Sequence, residues 1–155
     1  MPFVTAGIQP ASVIDKSSNY NTTPRHFRVL VVSPHLEVRR PVVRTLESLS
    51  VDALVCSTRR EAEEVLSKQT VELAFCEERL QDGSYCDLIH SDHYDHRIPR
   101  VVVMTRTGEW ELYFEAIASG AFDVIRSPWY ATDVEMTVIR ALREDDQPRV
   151  SCAVA

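Results

Sequence analysis

Arg28-Val-Leu-Val-Val32 is the stretch on which the reading of this chain turns. Four of its five residues are apolar, three are β-branched valines, and no polar residue alternates with them. That is the pattern of a short strand covered on both faces. Ser33-Pro34 closes the run, and Pro34 suits the first turn of a helix, where its missing N–H costs nothing. Leu36, Val42, Val43, Leu46 and Leu49 then recur at helical spacing. Pro41 falls inside that pattern and is expected to kink the helix or shift its true start, because it removes a backbone donor.

Outward from this unit the same alternation repeats. Ala53 to Ser57, Leu73-Ala-Phe-Cys76, Val101-Val-Val-Met-Thr105 and Phe122 to Arg126 read as four further strands. Thr58 with Glu61 forms a capping-box signature ahead of Ala62, Val65 and Leu66. Asp82-Gly83 marks a turn before a short helix around Tyr85 to Ile89. A helix from about Glu109 to Ser119 ends at Gly120, a natural C-cap. Thr132 and Glu135 make a second capping box, predicted to open a helix carrying Val134, Val138, Ala141 and Leu142. Five strands alternating with five helices predict an α/β fold, a doubly wound five-stranded parallel sheet flanked by five helices, because parallel strands need crossovers. Right-handed crossovers and, by analogy, the strand order 2-1-3-4-5 put a crevice at the carboxyl ends of strands 1 and 3.

Composition narrows the function classes. At 155 residues, 45% hydrophobic and 26% charged, the chain has the balance of one globular domain with a real core. A net charge of −6 without a long Lys/Arg run argues against direct nucleic-acid binding. Cys56, Cys76, Cys86 and Cys152 show no C-x-x-C spacing and read as reduced thiols used as small hydrophobes. No basic segment precedes an apolar core at the N-terminus, and no apolar run approaches the ~20 residues of a membrane span. A cytoplasmic protein without membrane contact is expected. Residues 1–26, with Pro2, Pro10 and Pro24 among Ser, Thr and Asn, read as a flexible N-terminal extension. Residues 27–145 read as the domain, and 146–155 as a C-terminal tail.

Four pieces in order carry a family resemblance: Val29-Leu-Val-Val32, Leu80-Gln-Asp-Gly83, Val103-Met-Thr105 and Gly120-Ala-Phe-Asp-Val-Ile-Arg-Ser-Pro128. Over about Arg28 to Leu142 the chain resembles the receiver domains of two-component response regulators, which implies the flavodoxin-like fold. Active receivers carry two acidic residues after strand 1 for Mg²⁺ and a phosphoacceptor Asp ending strand 3. They also carry a phosphate-sensing Thr or Ser ending strand 4, and a Lys before a Pro after strand 5. The resemblance places Ser33 and Pro34 at the acidic pair, Glu77 at the acceptor, Thr105 at the hydroxyl and Ser127 at the lysine, with Pro128 retained.

The departures predict a degenerate, pseudoreceiver-like pocket. Mg²⁺ demands near-octahedral oxygen ligation, Pro34 offers no side-chain oxygen, and Ser33 is a neutral, weak ligand. Mg²⁺ binding is therefore expected to be weak or lost, and no other cofactor is implied. Glu77 is one methylene longer than Asp, and in-line transfer tolerates a misplacement of ~1 Å badly. Ser127 removes the point charge that would pair with a phosphoryl group. The expected function is non-enzymatic: a receiver-like module in phosphorelay signalling that acts through a protein partner, whether kinase, output protein or a second copy, independently of phosphorylation. Two alternatives stand beside it, a phosphoreceiver with an atypical acceptor (Glu77, Asp82 or Ser33) and a metal-binding regulator. Were Thr105 to hydrogen-bond Glu77, that carboxylate would partially imitate a phosphorylated Asp, with about −1 charge against nearly −2.

Val124 stands where the family often has a switching aromatic ring in strand 5. Trp110, Tyr113 and Phe114, with Ile117, Trp129 and Tyr130, are candidates for a partner surface, although their spacing also fits core packing, expected for about half of them. His90, His93 and His96, interleaved with Asp92 and Asp95, have the residue types of a Zn²⁺ or Ni²⁺ site. The segment reads better as a solvated connection between a helix end and a loop.

Overall fold

The computed structural model describes residues 27–90, 98–107 and 109–145. The expected extension over 1–26, the tail over 146–155, His93, His96 and Cys152 lie outside the described residues. Within them the chain runs β1 (Arg28–Val32), α1 (Leu36–Ser48), β2 (Asp52–Cys56), α2 (Arg59–Lys68), β3 (Leu73–Glu77), α3 (Tyr85–Ile89), β4 (Arg100–Thr105), α4 (Trp110–Ser119), β5 (Asp123–Arg126) and α5 (Ala131–Asp145). The strands form one parallel sheet in the order β2-β1-β3-β4-β5, the doubly wound arrangement expected from the sequence.

Side chains alternate across a strand, so each apolar run feeds two cores. Val29 and Val31 join Leu73, Phe75, Val102, Met104 and Ile125 on the face covered by α1 and α5. Leu30 and Val32 join Ala74, Cys76, Val101 and Val103 on the face covered by α2, α3 and α4. Most of these side chains are fully buried, and each contributes roughly 1.5–3 kcal/mol of transfer free energy. The free Cys56 and Cys76 are packed into the second face. Burial, and then the Glu61 carboxylate, push the Cys56 thiol up to about 12. Cys76 is raised further by the same burial.

The strand ends are set by local chemistry. α1 begins at Leu36 rather than at Pro34, because His35 serves as N-cap and its carbonyl accepts from the Val38 and Arg39 N–H groups. Pro41 remains inside α1. Thr58 caps α2 as predicted, accepting from the Glu61 N–H at 3.1 Å, while Glu61 reaches back to the Ser57 N–H at 2.7 Å. Gly120, at φ 110°, adopts the left-handed conformation that ends α4. The start of α5 differs from the expected Thr132/Glu135 box. Its first turn is closed by Asp133, whose carboxylate accepts the Tyr130 N–H at 2.7 Å while the Asp133 N–H bonds the Tyr130 carbonyl at 2.9 Å. An aspartate three residues into the helix thus outcompetes the Thr132 hydroxyl for that role.

Between β3 and α3 the Asp82-Gly83 turn closes a tight hairpin, Arg79–Leu80 against Gly83–Ser84. Asp82 fastens the hairpin to α2: its two carboxylate oxygens accept the Arg59 and Arg60 N–H groups at 2.8 and 3.0 Å. No helix among the described residues is long and apolar enough to cross a membrane.

Candidate functional site

β1 and β3 are neighbours with Val32 opposite Cys76, so the next residue along each chain stands at the same level at the strand ends. Those residues are Ser33 and Glu77. Ser33 extends the pairing by one bond, its N–H donating to the Cys56 carbonyl at 3.0 Å. Its side chain is fully buried, and Glu77 is only 7% exposed. The Ser33 hydroxyl donates to Glu77 Oε2. The half-exposed His35 ring brings Nδ1 to 3.0 Å from the same oxygen and 3.3 Å from Oε1. Arg39 holds the turn in place through its guanidinium, which donates to the Ser33 carbonyl at 2.9 Å and the Ser57 hydroxyl at 3.0 Å. A buried carboxylate is thereby satisfied by an internal hydroxyl and an internal imidazole.

The second half of the pocket corrects the sequence reading. Thr105 does not bond Glu77. Its hydroxyl donates to Glu78 Oε1 at 3.0 Å. β3 lies between β1 and β4, and the consecutive glutamates divide between the two neighbours: Glu77 to Ser33 on the β1 side, Glu78 to Thr105 on the β4 side. The Glu78 N–H also bonds the Met104 carbonyl at 3.0 Å, which fixes that register. Thr105 is 1% exposed and also accepts from the Thr107 N–H at 3.2 Å. Across the rim, Arg106 reaches Glu37 on α1 at 3.5 Å.

The remaining pocket positions lie further out. Ser127 donates its N–H to the Thr105 carbonyl at 2.8 Å, but its side chain is exposed and uncharged. Pro128 follows through a cis bond. Pro34, half-buried, turns the chain between Ser33 and His35. Asp82, an alternative acceptor in the sequence reading, is spent on the α2 N-terminus instead.

The sequence left α4 divided between core and surface. In the structure only Leu112 and Ala116 face the core. Trp110 is 66% and Phe114 59% exposed, with Tyr113 and Ile117 exposed beside them. The Trp110 and Phe114 rings lie 5.2 Å apart and the Tyr113 and Phe114 rings 5.8 Å, one continuous aromatic patch. Tyr130 is also exposed, whereas Trp129 is half-buried against the core under α1 and α5. Trp129 therefore leaves the candidate surface. Val124 packs at the margin of the other core. His90 is the C-cap of α3, and no group of three metal-ligating side chains occurs among the described residues.

Two pocket residues escaped the sequence reading, His35 and Glu78. Each had a signal. His35 lies two residues past Ser33, within a side chain's reach of the adjacent strand end, and Glu77-Glu78 is a tandem acid at the end of a strand with a neighbour on each side.

The doubly wound parallel sheet, with a carboxylate and a hydroxyl at its central strand ends, is the flavodoxin-like architecture that the sequence implied. No protein-family model matches the chain. Curated relatives do: the response regulator protein PilR of Pseudomonas aeruginosa is 28% identical over 116 residues, 75% of this chain and 26% of that protein. Among solved structures, a two-component response regulator from Clostridium difficile superposes with a TM-score of 0.70 at 19% identity, covering 79% of this chain and all of that one. NtrX from Brucella abortus gives 0.68 at 25% identity, over 78% of this chain and 28% of that one. The chain spans about a quarter of the length of the curated relative it matches. Over the described residues the chain is thus similar, in sequence and in fold, to response-regulator receiver domains.

Proposed function

We propose that this receiver domain signals without being phosphorylated, by binding a protein partner through its α4 surface. The observation that carries the reading is the internal satisfaction of Glu77. The carboxylate that would accept a phosphoryl group is buried under the Ser33 hydroxyl and the His35 ring. Mg²⁺ does not fit these residues. Pro34 supplies no oxygen, Ser33 Oγ is engaged, and imidazole is a poor partner for a hard cation that prefers several oxygens and waters. Ser127 supplies no cation to a transferred group.

The phosphate-sensing hydroxyl of the family is occupied as well, since Thr105 donates to Glu78. A permanent carboxylate at that hydroxyl supports a domain held in one signalling state, with Glu78 rather than Glu77 setting it. Such a module would act non-enzymatically in the cytoplasm within a two-component pathway. The boundaries of an extension over 1–26 and a tail over 146–155 belong to the same proposal.

The test is incubation of the purified chain with acetyl phosphate and Mg²⁺, read by intact mass. No added phosphate is expected. Stoichiometric addition, mapped to Glu77 or to another residue of the pocket, would overturn the reading in favour of a phosphoreceiver with an atypical acceptor. In parallel, Glu78→Gln is expected to change partner affinity, whereas Glu77→Gln changes mainly stability. Equal affinity for wild type and the Glu78 variant would remove the fixed-state part.

A further inference from the structure

The partner chemistry of the α4 face can be taken further, on the reading that this face is an interaction surface. Besides Tyr130, Met136 and Ile139 on and before α5, two exposed patches of the described residues bear on this. On α4, Trp110, Phe114 and Ile117 form the apolar centre, and Glu111 and Glu115 flank it one helical turn apart. Neither glutamate has an ion pair or hydrogen-bond partner among the described residues. The other patch is a groove of about 310 Å³ between α1 and the outer edge of β2. Its apolar floor is Leu36, 54% exposed, with Val43 and Val55, 44% exposed. Arg40 and Arg44 rise from its wall, again one turn apart, with no acidic partner among the described residues. Glu47 also lines the groove, which leaves two unpaired cations against one acid.

The patches complement each other in sign. A pair of glutamates at i and i+4 matches a pair of arginines at i and i+4, about 6 Å apart on each helix. The groove has an apolar floor for an apolar side chain, and the α4 patch projects two exposed rings. In a chain of net charge −6, a basic apolar groove is a local exception, suited to an acidic aromatic helix such as this chain's own α4. The two patches also lie on opposite faces of the sheet, α4 over the core of Leu30 and Val32 and α1 over that of Val29 and Val31. One neighbouring copy cannot cover both patches through a single symmetric contact.

We propose that the domain associates head to tail, the α4 aromatic face of one copy seated in the α1–β2 groove of the next. Such a heterologous contact leaves a free patch at each end and extends beyond a dimer unless the rotation closes a ring.

Sedimentation velocity of the full chain from low micromolar to about millimolar concentration tests this. Growth past dimer with rising concentration is expected, weakened by salt because the charge pairs are exposed. Arg40→Glu/Arg44→Glu and Glu111→Arg/Glu115→Arg are each expected to be monomeric, with thermal melts confirming that they fold. Mixing the two variants should restore association, because each then offers a face of opposite sign to the other. Trp110→Ala/Phe114→Ala should weaken self-association at least about tenfold. A chain that stays monomeric throughout would overturn the proposal. So would a dimer that persists in Arg40→Glu/Arg44→Glu, which would mark a symmetric α4–α4 contact, or a variant mixture that fails to associate. If the chain is monomeric yet the α4 double variant loses another protein partner, this inference fails while the proposed function stands.

Discussion

The strand-end pocket and the α4 face have opposite characters. In the pocket every central polar group is answered from within: Glu77 by Ser33 and His35, Thr105 by Glu78, the Ser33 carbonyl by Arg39. On α4, two large rings stand more than half exposed, and the adjacent glutamates have no partner within the described domain. A buried, satisfied polar network stabilises and specifies the fold. An exposed aromatic patch contributes little to the fold and much to association. In a phosphorylation-driven receiver the strand ends are where chemistry enters. Here the polar groups at that place are satisfied internally and the exposed aromatic patch lies on a helix, which supports the proposed binding role.

The comparison breaks if a change in one region has the effect expected of the other. The largest effect is expected on α4. Replacing Trp110 and Phe114 together with Ala should weaken association with the partner by about 2 kcal/mol or more, as buried aromatic anchors do. The urea midpoint should move little, because neither ring is buried in the free domain. Isothermal titration and equilibrium unfolding on the same preparation measure both. Loss of stability without loss of binding would place these rings in the fold rather than in an interface.

Ser33→Ala is the converse and somewhat smaller. It removes a fully buried donor and leaves the Glu77 carboxylate with the His35 ring alone, which should cost about 1–3 kcal/mol. The urea midpoint should fall with an unchanged slope, and partner affinity should stay within about twofold. A Ser33→Ala protein as stable as wild type would show that Glu77 finds water or another donor, so the pocket would not be closed.

Most of the fold was legible because its signals are local and strong. The β-branched runs at Arg28–Val32 and Val101–Thr105, the Thr58 cap and Gly120 each work through neighbouring residues. The pocket was legible by position through the family resemblance, which set Ser33, Glu77, Thr105 and Ser127 at the strand ends. Its partnerships were not. Whether Glu77 or Glu78 meets Thr105 depends on which way two consecutive side chains leave a strand end, and no one-dimensional pattern encodes that. The pairing of His35 was hidden for a similar reason: its partner is 42 residues away. On α4 the spacing of Trp110, Tyr113, Phe114 and Ile117 is helical whichever side faces inward. Which side faces inward shows only in the burial of Leu112 and Ala116.

The smallest expected effect concerns the clamp that joins the pocket's loop to the scaffold. Desolvation acts against ionisation of Asp82, but hydrogen bonds from the Arg59 and Arg60 backbone N–H groups outweigh it and hold the carboxyl below its ordinary value. A carboxyl lowered on folding contributes stability that is fully present above its unfolded range and fades as pH falls through the folded value. Asp82→Asn removes the charge and one of the two acceptors at the start of α2. At neutral pH it should lower stability by only about 0.5–1 kcal/mol, since the site is exposed and solvent screens it. The gap between the two proteins should close as the pH is taken down through the acid range where Asp82 itself becomes protonated. Thermal melts of both proteins across that range measure it. A gap that stays constant to low pH would mean that the lost acceptor, and not the charge at the α2 N-terminus, makes the difference.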